Sequence, residues 1–71
     1  MPYVNIKVTG GSEAPNAEQK AELIRGVTEL LTRVLNKNPE TTVVVIDEID
    51  MDNWGRGGKS VTVRRSEARN K

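Results

Sequence analysis

The sequence feature that most constrains the fold is a long amphipathic helix pattern from Ala17 to about Leu35. Its apolar positions recur at helical spacing and are Leu23, Ile24, Val27, Leu30, Leu31, Val34 and Leu35. Charged residues occupy the other positions, which is typical of a helix with one buried face. Asn16, followed by Gln19 three residues later, predicts a capping box at the start of the helix, and residues 36–39 predict its end.

Two strand patterns flank this helix. Residues 2–9 alternate apolar and polar side chains, and a loop rich in glycine and proline follows at residues 10–15. Residues 42–46 are β-branched throughout and apolar from Val43, which predicts a central, parallel strand covered on both faces. Strand, helix and strand then form a right-handed β-α-β unit. The sequence therefore predicts an α+β fold in a single domain, residues 1–71.

The rest of the chain predicts a turn, a short strand and a tail. Four acids follow the second strand: Asp47, Glu48, Asp50 and Asp52. We expect them to be a solvated strand end and not a metal site or an acid–base pair, because they lack regular ligand-loop spacing. Residues 53–58 form a glycine-rich turn, residues 60–63 predict a short last strand, and residues 64–71 predict a frayed basic tail.

One copy of the chain has few large hydrophobic side chains with which to form a core. Hydrophobic residues make up 35% of the 71 residues, phenylalanine is absent, and Tyr3 and Trp54 are the only large aromatic residues. Disulfides cannot compensate, because the chain has no cysteine. One helix covers only one face of a two-stranded sheet, so the other face needs an apolar partner. The pattern predicts a homo-oligomer.

Missing residue types also exclude classes of chemistry. Without histidine or cysteine, the usual zinc ligands and the usual base of a catalytic triad are absent. We predict no metal site. No apolar run reaches 18 residues and the N-terminus lacks a signal pattern, so we expect a cytoplasmic protein that does not contact membranes.

Charge is distributed unevenly along the chain. Residues 59–71 carry five basic side chains and one acidic side chain, whereas residues 1–58 have a net charge of −3. A basic end is a candidate contact for phosphate or carboxylate. We do not predict nucleic-acid binding, because no aromatic residues alternate with the basic ones. The glycines of residues 55–58 lack the strand-to-helix context of a phosphate-binding loop, and they predict a tight turn or a close subunit contact.

Pro2 is the candidate for acid–base chemistry. Removal of Met1 would leave it with a free secondary amine. A chain-terminal amine titrates at about 7.7–8.0, and an apolar pocket lowers its pKa, so the amine could act as a base near neutral pH. The alternative is a proline that only begins a strand, where it has no ladder donor to lose. A retained Met1 would leave an amide nitrogen without a basic lone pair.

In this order and spacing, the motifs resemble those of the 4-oxalocrotonate tautomerase family. The motifs are Pro2, Glu18-Gln19-Lys20, Leu23-Ile24-Arg25, Trp54-Gly55-x-Gly57-Gly58 and Val63-Arg64-Arg65. The resemblance covers about residues 2–65. It implies a β-α-β subunit with a short C-terminal hairpin, assembled into a hexamer, a trimer of dimers whose sheets join.

The resemblance also implies an isomerase that needs no cofactor. In the family, the amino-terminal proline acts as general base and turns 2-hydroxymuconate-like enols into the 2-oxo-enoate, a role that would here fall on Pro2. One arginine of the family aligns with Ser12, which is therefore a candidate substrate-binding residue, and a second aligns with Val43 or Val44. The aromatic wall of the family's substrate pocket is kept as Trp54. With both arginines missing, the charge of an enol or unsaturated carboxylate would be met by Arg56, and after it by Lys7, Arg64 or Arg65.

Two alternatives remain open at this point. A related enzyme could hydrate or dehalogenate an unsaturated acid, with a protonated Pro2 acting as the acid. A non-catalytic oligomeric binding protein could keep the scaffold and use its basic tail to contact an anionic partner. Trp54 could form the wall of a pocket or fill a subunit interface.

Overall fold

The computed structural model describes residues 1–69 and confirms the predicted α+β class. Its helices and strands are β1 (Tyr3–Thr9), α1 (Ala17–Leu35), β2 (Val43–Ile49), β3 (Gly55–Arg56), β4 (Lys59–Ser60) and α2 (Val61–Arg69). Three short 3-10 helices connect them, at Gly11–Glu13, Pro39–Thr41 and Met51–Asn53. Strands β1 and β2 are neighbours in one sheet, and β3 and β4 form a second.

Strands β1 and β2 run in the same direction, as predicted. The amide of Val43 donates to the Pro2 carbonyl at 3.0 Å where the strands begin, and the amide of Gly10 donates to the Ile49 carbonyl at 2.7 Å where they end. Strand β2 extends three residues beyond the predicted end at Ile46. The extension includes Asp47, whose carboxylate accepts hydrogen bonds from Asn5 and Lys7 of β1. An acidic residue therefore continues the strand because the neighbouring strand satisfies its side chain.

The boundaries of α1 confirm the predicted capping signals. The Asn16 side chain accepts from the Gln19 amide at 2.8 Å, and the Gln19 side chain accepts from the Asn16 amide at 2.9 Å. This pair satisfies two amides that the first turn of a helix leaves without partners. Asn36 ends the helix in the left-handed conformation, with φ 55° and ψ 40°.

Replacing Asn16 by alanine is expected to lower the free energy of unfolding by about 0.5–2 kcal/mol, because the cap is lost. Urea denaturation at a fixed protein concentration measures the change, since association also affects stability. Asn16→Ser keeps a capping oxygen and should remain close to the wild type. Equal stability of the alanine and serine variants would contradict a stabilising cap.

The chain divides into two compact units. The first contains Met1–Lys7 and Pro15–Asp47, and the second contains Val8–Ala14 and the chain from Glu48 onward. In the first unit, the apolar stripe of α1 is incompletely covered. Val27 and Leu31 are half-buried, whereas Leu30 is 46% exposed and Val34 is 62% exposed. No hydrophobic side chain within residues 1–69 is fully buried.

The hairpin of the second unit confirms the predicted glycine-rich turn. Gly55 pairs with Ser60 and Arg56 pairs with Lys59 in antiparallel register. Gly57 and Gly58 connect the strands with φ of 65° and 85°. Two consecutive residues with positive φ are characteristic of the tight type I′ hairpin turn, which glycine adopts without steric cost.

The prediction for the end of the chain is wrong. Only Lys59 and Ser60 form the last strand, and residues 61–69, predicted as strand and frayed tail, form helix α2. The Ser60 hydroxyl accepts from the Val63 amide at 3.2 Å, as an N-cap does, and the Lys59 ammonium forms a salt bridge of 2.7 Å with Glu67. These contacts outweigh the strand preference of Val61, Thr62 and Val63. Asn70 and Lys71, the end of the predicted tail, lie outside the described residues.

No helix of the described chain is both long enough and apolar enough to cross a membrane.

Candidate active site

A cavity of about 390 Å³ lies within the second unit. It is lined by Trp54, Arg56, Val61, Arg64, Arg65 and Ala68. The last four follow the spacing i, i+3, i+4 and i+7, so they come from one face of α2. Arg56 lies in strand β3 of the hairpin, and Trp54 directly precedes that strand. The Val61 amide donates to the Trp54 carbonyl at 2.7 Å, which fixes the start of the helix. Two of the predicted substrate-binding residues, Trp54 and Arg56, therefore share one cavity.

Among residues 1–69, Arg65 is the one cavity arginine that a carboxylate neutralises. Its guanidinium forms a salt bridge with Glu13 through Nη1, and its Nη2 donates to the second carboxylate oxygen of Glu13 at 3.2 Å. The bond from Arg65, followed by the bond from the Thr9 hydroxyl, holds the pKa of Glu13 below its ordinary value. Because both side chains of this pair remain more than 40% exposed, the pair contributes little to stability.

Substituting Arg65 by glutamine is expected to raise the pKa of Glu13 towards its ordinary value, since the principal cause of the lowering is removed. A carboxyl whose pKa is lowered by folding stabilises the protein above its unfolded pKa, and that contribution is lost as the pH falls through the folded pKa. An NMR titration of the Glu13 carboxyl carbon measures the shift. Arg64→Gln serves as the control and should leave the titration unchanged. Identical midpoints in wild type and Arg65→Gln would refute this assignment.

Arg56 and Arg64 have no carboxylate partner within residues 1–69. Arg64 makes one long contact, from Nη1 to the carbonyl oxygen of Arg56 at 3.5 Å. Both side chains are exposed, and none of the described acidic residues lines the cavity. The cavity wall therefore carries two positive charges that no described carboxylate balances.

Ser12 lines a different cavity of the second unit, with a volume of about 480 Å³. Arg65, Ala68 and Met51 also contribute to its wall. Arg65 thus lies between the cavity of Ser12 and the cavity of Trp54. A substrate-binding role for Ser12 stays a prediction.

Lys7 already has a partner in the first unit. Its ammonium forms a salt bridge of 3.0 Å with Asp47, and the Asn5 amide donates to the same carboxylate at 2.8 Å. The bond from Asn5, and after it the bond from Lys7, holds the pKa of Asp47 below its ordinary value. Lys7 is therefore less available to a ligand than Arg56.

Pro2 lies immediately before β1 and is half-buried. Its carbonyl accepts from the Val43 amide at 3.0 Å, which fixes its backbone at the start of the sheet. Met1 precedes it and is 88% exposed. The base role of Pro2 stays a prediction.

Three of the acids that the sequence placed after the second strand have structural contacts, and one of them, Asp47, lies within β2. Besides the bonded Asp47, Asp50 accepts from the Asp52 amide at 3.2 Å, and Asp52 accepts from the Thr62 hydroxyl at 2.5 Å. The second bond ties the acidic segment to α2. In the described part of the chain, no three acidic residues gather closely enough to hold a metal ion.

Arg64 also lines the cavity, although the sequence favours Arg56 and Lys7 before it as candidate ligand contacts. Its place depends on α2, since residues 61 and 64 would point to opposite faces of a strand but share one face of a helix. The available signal was Ser60 as an N-cap before a run of helix-forming residues, Arg64, Arg65, Glu67 and Ala68.

Fold and cavity define a small α+β protein with a β-α-β unit, a hairpin and an arginine-lined cavity. The model of the tautomerase enzyme family matches residues 2–64. Probable tautomerase K2 of Dickeya dadantii is 59% identical over 68 residues, which are 96% of this chain and 98% of that protein. The chain belongs to the tautomerase family, which confirms the resemblance inferred from its sequence.

Solved structures agree with this assignment. The structure of DmpI from Helicobacter pylori is 48% identical, has a TM-score of 0.82, and the match covers 92% of this chain and 97% of that one. A heterohexamer 4-oxalocrotonate tautomerase from Chloroflexus aurantiacus is 26% identical with a TM-score of 0.75, covering 87% of this chain and 95% of that one. The fold is therefore that of the 4-oxalocrotonate tautomerases.

Proposed function

We propose that this protein is a cofactor-free keto–enol tautomerase in which Pro2, freed by removal of Met1, is the general base. The observation that carries the proposal is the family match, which begins at Pro2 and continues to residue 64. Support also comes from the position of Pro2 at the start of β1, where the bond from Val43 holds its backbone.

The reaction is a proton transfer within one substrate. Neutral Pro2 takes the hydroxyl proton of a 2-hydroxymuconate-like dienol, and the electron pair left on oxygen forms the 2-oxo group. The electrons shift along the conjugated chain to a carbon, which receives the proton back from the Pro2 ammonium. The product is the 2-oxo-enoate, and the base returns to its neutral form. A single group with a near-neutral pKa can perform both steps.

We rank the candidate substrate-binding side chains by how available each one is to a ligand. Arg56 is the main candidate to polarise the substrate oxygen, because no described carboxylate competes for its guanidinium. Trp54 offers an aromatic wall to a flat conjugated chain. Ser12 and Lys7 are secondary candidates, since Ser12 lines another cavity and Lys7 is paired with Asp47.

We further propose that residues 1–71 act as one tautomerase domain within a homohexamer, a trimer of dimers. The exposure of Leu30 and Val34 on α1 supports assembly, because each copy leaves apolar surface uncovered. The half-buried state of residues 44–46 supports it too, since their sequence is typical of a strand covered on both faces. A related structure from Chloroflexus aurantiacus is named a heterohexamer.

The direct test is an absorbance assay of 2-hydroxymuconate and a panel of other dienols in the presence of the protein. Conversion to the 2-oxo-enoate faster than in buffer, at a rate proportional to protein concentration, is the expected result. Rates equal to those in buffer across the panel would refute the proposal.

A further inference from the structure

The structure assigns to Arg65 and Glu13 a barrier between the two cavities of the second unit, which limits how long a ligand in the cavity of Trp54 can be. Arg65 is the specificity-determining residue, and Glu13 is a positioning residue that acts through it. The inference deepens the proposed function, on which it rests for the reaction, by naming what sets the length of the substrate. Its binding test uses neutral ligands and requires no turnover.

The two cavities meet at one edge of α2. The cavity of Trp54, about 390 Å³, and the cavity of Ser12, about 480 Å³, have Arg65 and Ala68 in common among their described lining residues. The side chain of Ala68 is a single methyl group, which extends too little to separate two cavities. Arg65 is therefore the side chain of α2 that divides the space.

Arg65 reaches from α2 to the segments that follow β1 and β2. Its guanidinium binds Glu13 in a two-pronged fashion, with Nη1 on one carboxylate oxygen and Nη2 on the other at 3.2 Å. Nη1 also lies 3.4 Å from the sulfur of Met51. Glu13 ends the 3-10 helix after β1, and Met51 begins the 3-10 helix after β2. The arginine side chain thus closes the space between α2 and both segments.

The carboxylate of Glu13 is itself held in place. The Thr9 hydroxyl donates to its Oε2 at 2.5 Å. A two-pronged contact with an acceptor that is already fixed gives the guanidinium a defined direction. Without Glu13, the long arginine side chain would recover its rotamer freedom and the barrier would open. Glu13 acts only through Arg65, because it lines neither cavity.

Other contacts keep α2 in place when the barrier is removed. The Thr62 hydroxyl donates to Asp52 at 2.5 Å, and the Val61 amide donates to the Trp54 carbonyl at 2.7 Å. These bonds fix the first turn of α2, one turn before Arg65, to the segment that leads into the hairpin. Loss of the Arg65 side chain is therefore expected to join the cavities without displacing the helix.

Joining the cavities brings more apolar surface within reach of a ligand. Trp54 and Val61 lie in the wall of the first cavity, and Met51 lies in the wall of the second. A chain longer than the cavity of Trp54 would end against Arg65 and leave its last carbons in water. Beyond the barrier, each further buried methylene would tighten binding about fourfold.

Primary alcohols from butanol to octanol test the barrier, with the fluorescence of Trp54, the sole tryptophan, as the measure of binding. Alcohols carry no charge, so their affinity does not depend on the positive charge that is lost with Arg65. In the wild type, the dissociation constant is expected to stop falling once the chain fills the cavity of Trp54. In Arg65→Ala it should continue to fall, about fourfold for each added methylene.

Three variants separate the barrier from a general effect on the fold. Glu13→Gln keeps the size of the side chain but removes the charge that holds Arg65, so part of the gain with chain length should appear. The double exchange Glu13→Arg with Arg65→Glu rebuilds the pair in reverse and should restore the plateau, a rescue that a merely structural role would not give. Arg69→Ala shortens an arginine that lines only the cavity of Ser12 and should keep the plateau. Circular dichroism spectra of all variants establish that α2 is retained.

The outcomes distinguish this inference from the proposed function. The same dependence on chain length in wild type and Arg65→Ala, or an equal change in Arg69→Ala, would overturn the inference even if dienols are converted. A double exchange that behaves like Arg65→Ala would overturn the positioning role of Glu13. A plateau that is lost in Arg65→Ala and restored by the double exchange, in a protein that converts no dienol, would uphold the barrier and refute the tautomerase proposal.

Discussion

Replacing Pro2 by alanine is expected to lower kcat for dienol conversion by about 10²–10⁴-fold, the usual contribution of a general base. The proline ring fixes the direction of its nitrogen lone pair, and the carbonyl bond from Val43 fixes the backbone behind it. An alanine amine rotates freely and is more strongly hydrated. The loss should fall on kcat more than on KM, because the base acts in the transition state.

Two controls make this result specific. Pro15→Ala changes a proline in the loop before α1 and should retain activity. Mass spectrometry must show that Met1 is removed from both the wild type and the Pro2→Ala variant, since a retained methionine blocks the nitrogen in either protein. Full activity of a correctly processed Pro2→Ala variant would exclude the base role.

Leu30→Glu is expected to abolish assembly. Leu30 is 46% exposed in one copy and lies on the apolar stripe of α1 that the proposed hexamer covers. An unpaired charge buried at such an interface costs several kcal/mol, which weakens association by about a thousandfold or more. Analytical ultracentrifugation should show monomers or unfolded chains in place of the hexamer, and dienol conversion should be lost with it.

Arg33→Glu is the matched control for this variant. It introduces the same side chain into the same helix at an exposed position on the charged face. The cost is limited to an unfavourable interaction with the helix end, about 0.3–1 kcal/mol. A hexamer that persists in Leu30→Glu, or one that dissociates equally in both variants, would contradict the proposed use of the apolar stripe.

Local signals in the sequence were sufficient to predict α1 and the hairpin. The Asn16 cap, the apolar periodicity and the left-handed Asn36 all act within a few residues of where the helix begins and ends. The turn at Gly57 and Gly58 is local in the same way. Parallel pairing of β1 and β2 followed from the order of the elements, because the chain must cross over through the helix.

Contacts between distant parts of the sequence explain why the end of β2 and the conformation of residues 61–69 were predicted wrongly. Strand β2 continues through Asp47 because Asn5 and Lys7, about forty residues earlier, satisfy that carboxylate. Helix α2 is anchored to Glu13, 52 residues before Arg65. Neither partner can be identified from the residues that surround the element itself.

The candidate site likewise combines residues that a local motif identifies with residues whose position depends on distant contacts. Trp54 and Arg56 belong to the turn that carries the family resemblance, so that resemblance was enough to select both residues, and both line one cavity. Arg64 lines the cavity because residues 61–69 form a helix, although Val61, Thr62 and Val63 favour a strand. No described carboxylate pairs with Arg64, because Glu13 pairs with Arg65 instead. The function of Pro2 depends on processing of Met1, an event that no folding rule controls.

A nitrogen-15 NMR titration of the Pro2 nitrogen tests the central claim most directly. The account predicts a secondary amine that loses its proton below neutral pH and is uncharged when substrate binds at pH 7. An amine that stays protonated well above pH 7 would contradict the base role and favour the hydratase or dehalogenase alternative. A nitrogen that does not titrate, because Met1 is still attached, would leave only an oligomeric binding protein.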